Sequence, residues 1–157
     1  MAKLTVNEAA LQGYTDVISF SHGKDFEDNT TSGEAVLKTY AVPAGTIVDD
    51  CAVHLTQEFT GTAISMVALD IGYGSSATQD DFIDNMELEG ADDFVRNTGS
   101  KLTAGNGARG EGHLFDSENN IIIKFTPTDG PMSDADTGRV VIKFKLLNML
   151  DPELIES

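Results

Sequence analysis

Basic residues, cysteine and flat aromatic side chains are scarce in this chain, and each scarcity closes off a class of function. Ten Lys and Arg stand against 26 Asp and Glu in 157 residues, a formal charge of −16. Nucleic acid is held by cations that displace counterions from phosphate, and anionic membranes attract the same charges, so neither is an expected partner. A single cysteine, Cys51, permits no internal disulfide, and the fold must hold by burial. Cys51 lies in an apolar run behind Asp49 and Asp50. That setting suits a small buried hydrophobe and not a nucleophile, which needs electropositive surroundings. Tryptophan is absent and tyrosine occurs three times, too few for the aromatic platforms of carbohydrate-binding sandwiches. No apolar run approaches bilayer length, and the N-terminus has neither the basic nor the apolar region of a signal peptide, so export by the standard route is not expected. Solenoid repeats and heptads are missing as well.

What is present is strand grammar on an acidic surface. From Thr39 to Val95 there is no Lys or Arg, yet 11 acids fall there. Tyr14 to Ser21 reads as a strand with Tyr14, Ile18 and Phe20 on one face, and Gly23 to Gly33 as a polar loop. Glu34 to Val42 alternates, with Val36, Tyr40 and Val42 inward and Lys38 interrupting. Val42-Pro-Ala-Gly45 is a turn, because proline presets φ and glycine accepts the exit. Thr46 to Phe59 follows, with Ile47, Cys51, Val53 and Leu55 on one face and a bulge expected near Asp49-Asp50, since the run exceeds ordinary strand length. Phe59-Thr-Gly-Thr62 is expected to close a hairpin onto a strand carrying Ala63, Ser65, Val67, Leu69 and Ile71.

Ser75 to Asp93 supports two readings: a helix start at Thr78-x-x-Asp81 with Phe82 and Met86 at helical spacing, or an irregular strand through Phe82 to Leu88. Arg96 to Gly112 is rich in Gly, Asn and Thr and reads as a loop. Ile121, Ile123 and Phe125 point inward on a strand after Asn119-Asn120. Pro127 to Gly138 reads as a turn-rich connection. Val140, Ile142, Phe144 and Leu146 then alternate with Lys143 and Lys145 in a half-buried strand. The expected architecture is all-β, a single antiparallel β-sandwich or jelly-roll-like domain over 13–150 with at most one or two short helical turns. An N-terminal arm (1–12) precedes it and a C-terminal tail (151–157) follows.

Chemical motifs fail on context. Gly105-Asn-Gly-Ala-Arg-Gly110 has dinucleotide-binding spacing without the strand before it or the helix after it. Ser133 to Gly138 offers the first two acids of a calcium loop, Asp134 and Asp136, but glycine stands at the third ligand position, and Asx-turn chemistry explains the acids. Asp80, Asp81 and Asp84, and Asp92 with Asp93, read as solvated acidic faces. His22, His54 and His113 have no zinc spacing, and no serine has a nucleophile elbow around it. No cofactor, metal or catalysis is expected.

Four segments, Val42 to Thr46, Phe59 to Thr62, Leu69 to Gly74 and Asp80 to Phe82, together with the closing strand Arg139 to Leu147, resemble the decoration or cement proteins of tailed-bacteriophage heads. That resemblance implies a β-sandwich assembled in a host cytoplasm and docked on the outside of the capsid. It would act as a homotrimer at three-fold or quasi-three-fold positions, clamping neighbouring major capsid protein subunits. The negative charge suits the outer surface better than the DNA-filled interior. The N-terminal arm around Lys3, Leu4 and Val6 is the expected capsid contact. A head-fibre, tail or adhesin component, with the loop Arg96 to Gly112 facing a host glycan, is the alternative within a virion. A carbohydrate-active sandwich protein is the alternative outside one.

Overall fold

The computed structural model describes residues 13–90, 93–102 and 112–148. The expected arm with Lys3, Leu4 and Val6, the tail and the Gly105–Gly110 motif lie outside the described residues. Nine strands make up the described chain: β1 (Asp16–Ser21), β2 (Val36–Val42), β3 (Thr46–Gly61), β4 (Met66–Tyr73), β5 (Ile83–Glu87), β6 (Asp93–Arg96), β7 (His113–Phe115), β8 (Asn119–Thr128) and β9 (Ala135–Asn148). Among the described residues, the helical segments are 3₁₀ turns at Ser76–Thr78 and Met132–Asp134.

Two antiparallel sheets form a sandwich. One runs β1-β9-β3-β6, with β7 also on β3, and the other runs β2-β8-β4-β5. Successive strands mostly change sheet, which gives the two four-stranded layers of a jelly roll with β7 added. Inner rows cross each sheet in register. Ile18, Ile142, Val53 and Val95 align in the first, and Val36, Phe125, Leu69 and Met86 in the second. Between them lies a core in which Val53, Leu55, Leu69, Ile71, Ile123, Phe125, Ile142 and Phe144 are wholly buried.

The expected hairpin at Phe59–Thr62 is not there. β3 pairs with β9, β6 and β7, whereas β4 pairs with β8 and β5, so residues 62–65 cross from one layer to the other. Tight two-residue hairpins need positive φ at a central residue, and Gly61 does not adopt it. Gly61 instead lets the backbone close on Asp134, whose carboxylate would stand 2.8 Å from an added Cβ. The same carboxylate accepts the Ala63 N–H at 2.6 Å. Asp134 thus holds the crossing between layers through a long-range bond, which is not the local Asx turn expected for its segment.

The bulge expected at Asp49-Asp50 is present, because Val48 faces Leu146 but Asp50 faces Lys145. Its consequence reverses one assignment. The extra residue flips the alternation, so Val48 is buried and Ile47 turns to the outer face, not the core. A second irregularity settles the ambiguous segment as a strand. Leu69 faces Met86 and Ile71 faces Ile83, leaving Asp84 and Asn85 opposite the single residue Asp70. Asn85 sits at φ 50°, and the insertion produces the spacing that imitates a helix.

Of the segment read as a loop from Arg96 to Gly112, residues 103–111 lie outside the described residues. β6 and β7 lie along the same edge of β3, and the chain leaves at Asn97 (φ 53°). Asn97 replaces a neighbouring strand there: its N–H donates to the Cys51 carbonyl at 3.0 Å, and its side-chain oxygen accepts the Cys51 N–H at 2.8 Å. The turn-rich connection is also shorter than expected, because β8 continues through Thr128 and β9 begins at Ala135. The Gly23–Gly33 loop contributes Phe26 to the core, 1% exposed.

Candidate functional site

The outer face of the β1-β9-β3-β6/β7 sheet concentrates what the rest of the chain lacks. Directly opposed residues in an antiparallel sheet share a face, so the register gives its rows. Val17, Lys143, Ala52 and Arg96 form one row, and Ser19, Val141, His54 and Phe94 the next. Beyond the bulge, Leu147, Ile47 and Leu114 line up across β9, β3 and β7. Phe94, Leu114 and Leu147 are 57%, 53% and 42% exposed. Outward rows of a half-solvated sheet are normally polar, so an apolar row there marks a surface built for contact.

Four of the ten Lys and Arg also stand on this face: Arg96, Arg139, Lys143 and Lys145. The bulge aims both of its acids at them. Asp50 accepts a forked pair from Arg96, with Nε at 3.0 Å and 3.1 Å from its two oxygens, and Asp49 pairs with Lys145 at 3.4 Å. The hydrogen bond that Arg96 donates to Asp50 raises the Arg96 pKa further. A groove of about 490 Å³ runs beside β1 and is lined by Ser19, His54, Arg139, Val141 and Lys143, reaching Tyr40 of β2. A smaller one of about 230 Å³ adjoins it and adds Tyr14 and Phe94. The Lys143 ammonium lies 5.8 Å from the Tyr14 ring centre.

Acidic residues stand on the opposite outer face. Leu37, Lys124 and Asp70 form one of its rows, and Thr126, Ala68 and Glu87 another. Burial raises the Asp70 pKa, and Asp80 and Asp84 push it the same way against the Asn85 N–H and Lys124, which is 3.9 Å away. Among the described residues, basic side chains thus gather on one outer face and acidic ones on the other.

A third cluster lies where residues 97–102 and the start of β7 meet the end of β4. His113 stacks on Tyr73 at 3.8 Å between ring centres, and Phe115 meets it edge-on at 4.6 Å. Asp81, 8% exposed, accepts the Ser100 hydroxyl at 2.9 Å, and its backbone oxygen accepts the Lys101 N–H. Burial raises the Tyr73 pKa, helped by Asp81. Burial lowers the His113 pKa below 6.5, with Lys101 acting in the same direction and Asp81 and Asp116 opposing. The unfolded chain therefore binds this proton first as pH falls through 6.5, and stability drops below that point. His113→Phe keeps the stack and should flatten the pH dependence of the urea midpoint between about pH 7 and pH 5.5 relative to wild type. Equal slopes in the two proteins would rule out His113 as its source.

The histidines do not converge. His54 stands on the outer face, His113 is in the stack, and His22 Nδ1 lies 3.2 Å from the Gly138 carbonyl oxygen. Cys51 is fully buried, and that burial raises its pKa well above 9.0. Among the described residues, no three His, Cys, Asp or Glu side chains come together as a metal site. Lys143 and Lys145 were visible as an alternating pair in the sequence. The face they belong to was not, because it forms only when β9, β3, β6 and β7 align.

No protein-family model matches the chain, and no curated protein matches it at a significant level. Among solved structures, a chain of the capsid of Ralstonia phage GP4 is similar, with 16% identity, a TM-score of 0.45 and 86% of each chain covered. A likeness at that score carries no statement about function.

Proposed function

We propose that this chain is a non-catalytic structural protein of a tailed-phage virion. It binds the outer surface of the capsid as a homotrimer and ties neighbouring major capsid protein subunits together. The turn segments behind the family resemblance sit at structural junctions. Val42–Thr46 joins β2 to β3, Phe59–Thr62 leads into the crossing between layers, and Leu69–Gly74 ends β4. The observation that carries the reading is the broad outer sheet face bearing an exposed apolar row and four basic side chains on a chain of charge −16. Such a face suits area-based docking on another protein better than it suits enclosing a small substrate.

The test is co-sedimentation of the purified protein with expanded, undecorated shells of the cognate phage. Saturable binding at a stoichiometry set by capsid symmetry supports the reading. Glycan binding with no shell binding supports the head-fibre, tail or adhesin alternative. Under the capsid reading the arm with Lys3, Leu4 and Val6 reinforces docking. Removal of residues 1–12 should abolish sedimentation with shells while leaving the thermal midpoint near that of the full chain. Undiminished binding by the shortened protein would remove the arm from the interface.

A further inference from the structure

We propose that the outer face of the β1-β9-β3-β6/β7 sheet is the docking surface, and that its partner is a shell surface presenting carboxylates beside an apolar ridge. The identity of the partner as the shell rests on the capsid reading; the choice of face and the chemistry it selects rest on the geometry. Leu147, Ile47 and Leu114 form a continuous apolar row over three strands, and Leu114 and Leu147 are about half exposed. That row exists because the Asp49-Asp50 bulge turns Ile47 outward. A plain strand would have placed Ile47 in the core, and Val48 in place of Ile47 on the outer face. Exposed apolar rows of this kind stay out of water only against a second apolar surface.

Charge defines the rest of the partner. Among the described residues, Arg96, Arg139, Lys143 and Lys145 stand on this face beside Asp49 and Asp50, so four of the chain's ten Lys and Arg gather on one side of a molecule of net charge −16. A carboxylate-bearing surface is complementary to it, whereas a basic surface would meet the opposite face around Asp70, Asp84 and Glu87. The groove beside Arg139 and Lys143 leaves room for side chains of the partner to enter. The two outer faces thus orient the protein on the shell: the basic and apolar side inward, the acidic side toward solvent.

The experiment compares two double variants and one control in a saturation binding assay on undecorated shells, with thermal midpoints and sedimentation velocity measured for each protein. The double variant L114D with L147D should weaken binding at least tenfold. The double variant R139E with K143E should also weaken it at least tenfold and flatten its dependence on salt. The control L37D alters a leucine of similar exposure on the opposite face and should bind within twofold of wild type. Wild-type affinity in both double variants overturns the choice of face, and a loss confined to L37D assigns docking to the opposite side. A double variant that dissociates the homotrimer but leaves shell affinity intact assigns the face to a second copy, and also overturns the proposal. Wild-type protein that binds no shell overturns the capsid reading and this partner together.

Discussion

Replacing Phe125 by alanine should lower the unfolding free energy by about 3–5 kcal/mol. Phe125 is fully buried on β8 and stands at the centre of four aromatic rings. Its ring lies 4.9 Å from Phe26, 5.4 Å from Phe20 and 6.2 Å from Phe59, with the first two pairs edge-to-face. The four rings come from β1, the loop after it, β3 and β8, so one side chain couples both layers and the loop between them. Truncation loses the transfer energy of the ring and leaves a cavity that two rigid sheets cannot close. The expected fall in Tm is on the order of 6–20 °C, measured by circular dichroism. A fall of under about 2 °C would mean that these rings do not form the packed centre of the fold.

Gly138→Val should destabilise by about 3 kcal/mol or more, from the other side of the same cluster. Gly138 has φ 141°, a backbone conformation that side-chain-bearing residues rarely adopt. A Cβ there would also stand 2.5 Å from Phe59 Cγ. Phe59 cannot retreat, because its ring packs against Phe26 and Phe125 at 5.9 Å and 6.2 Å. The backbone at this position is engaged as well. Its carbonyl accepts the His22 N–H at 2.9 Å, and its N–H donates to the Gln57 side chain at 3.2 Å. Since both substitutions act through Phe59, the double variant with Phe125→Ala should cost less than the sum of the single variants, because the vacated space lets Phe59 move. Strict additivity in urea unfolding would show that the strain does not pass through that ring.

The class of the fold was legible because alternation with period two is a local signal. β4 carries Val67, Leu69 and Ile71 to the core, β8 carries Ile121, Ile123 and Phe125, and β9 carries Val140, Ile142 and Phe144, as their spacing requires. Pairing was less legible. Phe59-Thr-Gly-Thr62 contains turn residues, but turn residues do not distinguish a tight hairpin from a crossing between layers. Here the partner that decides, Asp134, lies more than seventy positions away. Ile47 was assigned to the wrong face for a related reason: a bulge can be expected from strand length, yet its effect on the faces depends on where the extra residue falls against β9. Phe26 was hidden by the polar residues around it, and β6 and β7 by their shortness. The candidate surface was the least legible feature of all. Arg96, Ile47, Leu114 and Lys143 are dispersed along the chain and become neighbours only through non-local register.

Sharpest of all would be a cryo-electron microscopy reconstruction of undecorated shells of the cognate phage saturated with this protein. The account predicts added density on the outer surface at three-fold or quasi-three-fold positions, with the sheet containing Ile47, Leu114 and Leu147 against the shell and the side bearing Asp70 and Glu87 toward solvent. Shells that gain no density, or gain it only on the inner surface, would contradict it.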